Sequence, residues 1–212
     1  MSRSPIVNQL SDVDAFFREL SKQPGFEVYG DDLPVAADAE IAAVEEVLGY
    51  PIPSEIRALW TSGVKVWQGT FQHDSFVSFG RDLCGPDIAL RDLPTLRERA
   101  DDPLSADAPE ETREFVRLAK EGFPISFENP ILVSDSGGAI YLMNFGDVAA
   151  TRLAASLSEH LADWLRAGGL VQIDDEEGYR AFMSKVAATL TAWARGGGAS
   201  KWLEYYRQTY WS

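Results

Sequence analysis

The stretch LGYPIPSEIRALW, Leu48 to Trp60, restricts the fold more than any other part of the chain. Gly49 is the residue type that tolerates the left-handed conformation closing a helix. Pro53, with φ preset and no N–H to leave orphaned, suits the first position of a new helix. One helix must therefore stop and another start with only a few residues between them. Before the corner, Ile41, Val44 and Leu48 share a face of an expected helix over 37–48, capped by Asp38, with Glu40, Glu45 and Glu46 mostly off that face. After it, Ile56, Leu59 and Trp60 recur at i, i+3 and i+4. The spacing predicts a helical hairpin with its two apolar stripes turned towards each other.

The remaining pattern mixes helix and strand. Val13, Phe16, Phe17 and Leu20 predict a short amphipathic helix with Ser11 as N-cap and Pro24-Gly25 as its stop, and Asp31, Asp32 and Pro34 mark a loop. Beyond Gly63 the period shortens: Val64, Val66, Phe71, Phe76, Val77 and Phe79 lie among turn residues and suggest short strands. Residues 86–100 read as a helix interrupted at Pro94, 101–109 as a loop, and 110–121 as a helix buried through Phe115 and Leu118. The pieces ISF, ILVSD and AIYLMNF, with a fourth over 150–155, predict an antiparallel meander. A helix over 157–166, facing inward through Leu157, Leu161, Trp164 and Leu165, ends at Gly168-Gly169.

Charge and composition exclude several functions. The formal net charge is −14, from 33 acids against 19 bases, which repels phosphate backbones and anionic lipid and speeds encounter with a basic protein. Neither nucleic acid nor membrane is expected as a partner. No apolar run approaches the ~18 residues of a membrane span, and the N-terminus carries no secretory pattern, so a cytoplasmic location is expected. A single cysteine, Cys84, and two histidines, His73 and His160, assemble no zinc site and no internal disulfide. No metal or cofactor is expected.

Catalytic motifs fail on physical grounds. The glycine-rich loops that cradle phosphate through backbone N–H groups are absent. His73-Asp74-Ser75 has the residue types of a triad, but neighbours on an extended segment point to alternate faces. Cys84, before Gly85-Pro86, reads as a small buried hydrophobe. Asp174-Asp175-Glu176-Glu177 lacks the ligand alternation of a calcium loop and suits a helix N-terminus. No catalytic residue is expected, and the chain is read as a non-enzyme.

The order of the pieces is informative. An acidic helix ends in Leu48-Gly49; Ile52-Pro53-Ser54-Glu55-Ile56-Arg57 and the aromatic Trp60 follow; later come the turn and strand DSGGAIYLMNF and the helix SLSEHLADWL. In this order the chain resembles the SUKH superfamily, the Smi/Knr-type domains, over roughly residues 37–167. The resemblance implies an α+β fold with a central antiparallel sheet flanked by helices. It places a SUKH-like domain at 37–169, after an N-terminal helix and loop at 1–36 and before a C-terminal helical extension at 170–212 packed on that domain. Many bacterial members are immunity proteins that neutralise toxins, often nucleases, by binding them; others resemble intracellular interaction scaffolds, the alternative reading for this chain. The turn Asp135-Ser136-Gly137-Gly138 keeps one acid where the family usually has a Gly-Asp type, and Ala139 replaces a frequent polar residue.

The expected partner is accordingly a protein, a basic toxin domain covered by acidic surface. The acids expected to meet it lie in segments read as loops: Asp31, Asp32, Asp101, Asp102 and Asp135, with Trp67 as an aromatic anchor. In the tail, Trp202, Tyr205, Tyr206 and Tyr210 recur at helical spacing with Trp211 beside them. That stripe is expected to pack on its own domain, a homodimer surface being its other use.

Overall fold

The computed structural model describes residues 5–63, 65–71, 77–81, 83–101, 104–105, 107–126, 131–173, 176–193 and 200–210. In chain order the elements are α1 (Pro5–Leu20), β1 (Phe26–Asp32), α2 (Asp38–Leu48), α3 (Ser54–Thr61), β2 (Lys65–Phe71) and β3 (Val77–Arg81). They continue with α4 (Pro86–Glu98), a 3-10 turn (Arg99–Asp101), α5 (Glu110–Glu121), β4 (Phe123–Pro124), β5 (Ile131–Ser134), β6 (Ile140–Asn144) and β7 (Ala149–Ala154). The chain closes with α6 (Leu157–Arg166), β8 (Leu170–Ile173), α7 (Glu176–Trp193) and α8 (Lys201–Tyr210).

The fold is α+β; the described residues form two antiparallel sheets of four strands each, in the orders β1-β2-β3-β8 and β4-β5-β6-β7. Each sheet belongs to its own compact unit. The first unit gathers Met1–Asp32, Val64–Arg81 and Ser158–Ser212; the second gathers Leu33–Gly63 and Asp82–Leu157. This grouping differs from the expected single sheet domain at 37–169. Two strands are the reason: β1 lies in the segment read as a loop, and β8 lies in the segment read as a helical extension. Both join a sheet whose middle strands come from 64–81.

In the first unit the core is aromatic. Helix α1 reaches back beyond Ser11, whose hydroxyl donates to Val7 O at 2.9 Å within the helix, so Ser11 is not the cap. Ile6 and Leu10 extend the buried stripe of Val13, Phe16, Phe17 and Leu20. Phe17 stacks on Trp67 with centroids 5.9 Å apart and meets Trp164 at 5.6 Å. A second group joins Phe26 to Phe71 at 4.7 Å and to Phe182 of α7 at 6.0 Å. The tail is thus part of this core rather than an appendage.

Helix α8 is tied down by one buried carboxylate. Asp163, on α6 and 4 % exposed, accepts from the backbone N–H groups of Lys201 (3.0 Å) and Trp202 (2.8 Å) and from the Ser200 hydroxyl (3.2 Å). Arg166 pairs with it at 2.6 Å. The carboxylate therefore acts as an N-cap supplied from another helix, answering the orphaned donors of the first turn of α8. Trp202 is buried, its ring edge-on to His160 at 6.0 Å, while Tyr205 is half-buried. The side chains of Tyr206 and Tyr210, and all of Trp211, lie outside the described residues.

The second unit is built on the proline corner. Gly49 closes α2 at φ 76°, its N–H bonded to Glu45 O at 2.8 Å. Pro53 stands one residue outside α3 rather than inside it, at φ −51°, and its carbonyl accepts the Arg57 N–H at 3.0 Å. From α3, Trp60 goes to the centre: its indole N–H donates to Cys84 O at 2.7 Å, its ring meets Phe123 at 6.0 Å, and its carbonyl accepts from Ala36 N at 2.8 Å. Helix α4 runs unbroken through Pro94, which is exposed, so only the bond to the preceding turn is lost. Helix α5 buries Phe115, Leu118 and Ala119 in a cluster with Val133, Tyr141, Met143 and Ala150 of the meander.

Beyond its chain neighbours and the helix backbone, no atom lies within 4 Å of where a Cβ on Gly49 (φ 76°) would stand, so Gly49→Ala costs chiefly backbone strain, ~1–2 kcal/mol, read as a lower denaturant midpoint with unchanged slope. A midpoint equal to the parent rejects the left-handed stop. Asp163→Ala leaves buried donors and Arg166 without their acceptor, a loss of about 3 kcal/mol. Limited trypsin digestion should then cut first at Lys201 or Arg207; cleavage at the parental rate shows that the cap does not hold α8.

Candidate protein-binding surface

The alternation of β1 sorts its side chains onto two faces. Phe26, Val28 and Gly30 turn inward; Glu27, Tyr29 and Asp31 turn outward and are exposed, as is Asp32 at the strand end. The register with β2 sets Glu27 opposite Thr70, Tyr29 opposite Gln68, Asp31 opposite Val66 and Asp32 opposite Lys65. Asp31 and Asp32 are therefore strand residues, not loop residues. Lys65 Nζ lies 3.0 Å from Asp32, a solvent-exposed pair worth ~0–1 kcal/mol. Tyr29, 64 % exposed, is the most exposed large aromatic among the described side chains, and no sequence argument had singled it out.

Trp67 is not an exposed anchor. It is 9 % exposed, stacked on Phe17 from the inner face of β2. Opposite it stands Gly30, where a Cβ would come within 2.9 Å of the indole ring. The glycine leaves the space that the indole fills, which is why Trp67 points inward.

Asp135 is likewise drawn inward. Its Oδ1 accepts from the N–H groups of Gly137 and Ala139, both at 3.0 Å, and its Oδ2 from the Tyr141 hydroxyl at 3.2 Å. The carboxylate closes the β5–β6 turn that it begins, leaving its side chain 16 % exposed. Asp101 ends the 3-10 turn in the second unit, with its side chain outside the described residues; Asp102 lies wholly outside them. Of the expected contact residues, Asp31 and Asp32 stand together on β1, while Trp67 lies beneath the same sheet and Asp135 belongs to the second unit.

Around Asp135 the second unit holds a charged network whose members bind one another. A Cβ on Gly138 would lie 3.2 Å from Pro53 Cβ, so the glycine-rich turn rests on the proline corner. Arg117 grips Glu114 with two bonds (2.6 and 2.9 Å), reaches Asp135 at 3.8 Å, and sits 5.5 Å over the Tyr141 ring. Tyr50 donates to Glu121 O at 2.5 Å, and burial pushes its hydroxyl up to about 12. Burial lowers Arg97, which donates to Ala119 O at 2.6 Å. At the corner itself, Glu45 Oε1 accepts from Ile52 N at 2.8 Å and from Arg57 at 2.5 Å; these bonds hold its carboxyl below the ordinary value of 4.5.

These groups favour structure over proton transfer. Burial pushes the Cys84 thiol up, away from the thiolate, and Cys84 is fully buried. Ser200 donates to Asp163 itself, inside a helix cap. His73, Asp74 and Ser75 lie outside the described residues. Among the described residues no group of three or more His, Cys, Asp or Glu is placed to hold a metal ion, and no helix is long and apolar enough to cross a membrane. On the outer face of β1, exposed carboxylates of Glu27 and Asp31 stand on either side of the exposed ring and hydroxyl of Tyr29. The chain matches no protein-family model, no curated protein and no solved structure.

The Glu45 clamp sets a pH dependence. Because its folded pKa lies below the unfolded one, its stabilisation is present above about pH 4.5 and is lost as pH falls through the folded value. Glu45→Gln should melt earlier than the parent at pH 7, with the difference narrowing as pH falls below about 4.5. A difference constant over that range shows that the charged form is not what holds the corner.

Proposed function

We propose that this chain is a non-catalytic binding protein of the immunity type, which neutralises a basic toxin domain by covering it. The observation that carries the reading is charge: a net −14, part of it displayed by Glu27, Asp31 and Asp32 on one exposed strand. A nuclease binds phosphate through lysines and arginines, and the same groups attract this surface. Occlusion then needs no chemistry from the immunity protein.

The resemblance to SUKH domains supports the same reading. Two of the motifs that carry it, the proline corner and the glycine-rich turn, pack against each other through Pro53 and Gly138. Long-range attraction between unlike charges raises the association rate, while short-range contacts set the dissociation rate. Steering of this kind acts before contact, so it needs no particular docking geometry.

A toxin gene is expected beside this one, and the test uses its product, purified as an inactive variant. Its association rate with this protein should fall at least about tenfold as ionic strength rises from ~0.01 M to ~0.5 M, where the screening length shortens from ~30 Å to ~4 Å. The dissociation rate should change much less. An association rate indifferent to salt, or an acidic partner, removes the electrostatic mechanism. Turnover of a substrate that a single substitution abolishes removes the non-catalytic reading.

A further inference from the structure

The geometry points to the free edge of β1 as the docking site, taking a basic extended segment of the partner as an added strand. This inference rests on the binding role proposed above and names the place and chemistry of contact. In the order β1-β2-β3-β8, β1 is terminal, and among the described residues no strand pairs with its outer side. An edge of this kind presents a row of backbone N–H and C=O groups to any chain that can lie beside it.

Proteins defend such edges with proline, lysine, bulges or very short strands. None of these protects β1. It runs seven residues, FEVYGDD, and pairs with β2 without a register shift from Phe26↔Phe71 to Asp32↔Lys65. Within the strand itself the charged residues are all acidic: Glu27, Asp31 and Asp32. These acids discriminate by charge. A second copy of this chain, itself at −14, would bring like charges together along the edge, whereas a segment with lysine or arginine at alternate positions would meet opposite charges.

The outward face favours the same occupant. Tyr29 stands between Glu27 and Asp31 on the outer face and offers its exposed ring to an ammonium or guanidinium group. On the inner face, Trp67 already fills the space at Gly30, while Val28 is half-buried. An incoming strand is therefore read through its outward side chains, which should be basic, while its inward ones should be small or apolar. Backbone pairing supplies binding, and the acids select the sign of the partner.

The probes are three synthetic peptides: one alternating lysine and valine, one of the same length and charge with proline replacing its central valines, and one alternating glutamate and valine. Each is titrated into the full-length protein and followed by amide NMR shifts and hydrogen exchange. The alternating basic peptide should shift and protect the amides of 26–32. The proline peptide, equal in charge but unable to pair, should bind at least about tenfold more weakly, and the acidic peptide should not bind. Glu27→Lys with Asp31→Lys should weaken the basic peptide at least about tenfold and Tyr29→Ala about threefold. All three positions are exposed, and an unchanged circular dichroism spectrum checks that the fold is intact.

Equal affinity for the two basic peptides, or shifts spread over other acidic elements with β1 untouched, overturns the edge assignment. A toxin complex in which the amides of 26–32 exchange as in the free protein overturns it too, while leaving the immunity role standing. Peptide protection of β1 with no binding of the neighbouring toxin supports the edge and removes the toxin.

Discussion

Much of the second unit depends on the carboxylate of Glu45. Placed in the last turn of α2, it accepts the backbone N–H of Ile52 and the guanidinium of Arg57 at once, bridging the chain across the corner between two helices. Gly49 ends α2, Pro53 precedes α3, and the two bonds of Glu45 join the chain on either side of the corner. From α3 the Trp60 indole donates to Cys84 O, and the Cys84 N–H in turn bonds Ile125 O beside the meander. Chain segments distant in sequence are thus joined through one ring and its two backbone neighbours.

The first unit uses a different device for the same problem. Its chain segments are separated by long stretches of sequence, and aromatic stacking holds them together: Phe17 from α1, Trp67 from β2 and Trp164 from α6 meet around one point. Such packing removes a large apolar area per residue and fixes orientation through ring geometry. Asp163 then adds the final helix by replacing the missing hydrogen bonds of its first turn. The carboxylates committed to structure, Glu45, Asp135 and Asp163, are partly or wholly buried and satisfied. Glu27, Asp31 and Asp32 on β1 instead stand exposed to solvent, and their charge is what the binding reading uses.

The elements with strong local signals were legible. The α2–α3 corner, α5, the meander from β4 to β7 and α6 each combine a clear period with a proline or glycine stop. Strand β1 was not, because Asp31, Asp32 and Pro34 are turn-forming residues and outweighed the alternation of Phe26 and Val28 with Glu27, Tyr29 and Asp31. Reading that alternation would have exposed Tyr29 as an outward aromatic. Strand β8 is only four residues long and gains its hydrogen bonds from β3, far away in sequence. Pro94 was read as a break, yet the helix tolerates it because the ring faces solvent.

By itself the sequence determined the acidic balance, the mixed helix and strand content, and the proline corner, since each depends on residue type or on neighbours within a few positions. Only the tertiary structure decided which carboxylates are exposed and which are drawn into the fold. Asp135 reads as a surface acid until its own turn folds around it, and Trp67 reads as an anchor until Gly30, paired from another strand, opens the space beneath the sheet. Both outcomes depend on hydrogen bonds and close contacts formed after the chain has folded back on itself. A side chain's chemistry is local, but its exposure is set by whatever the fold brings against it.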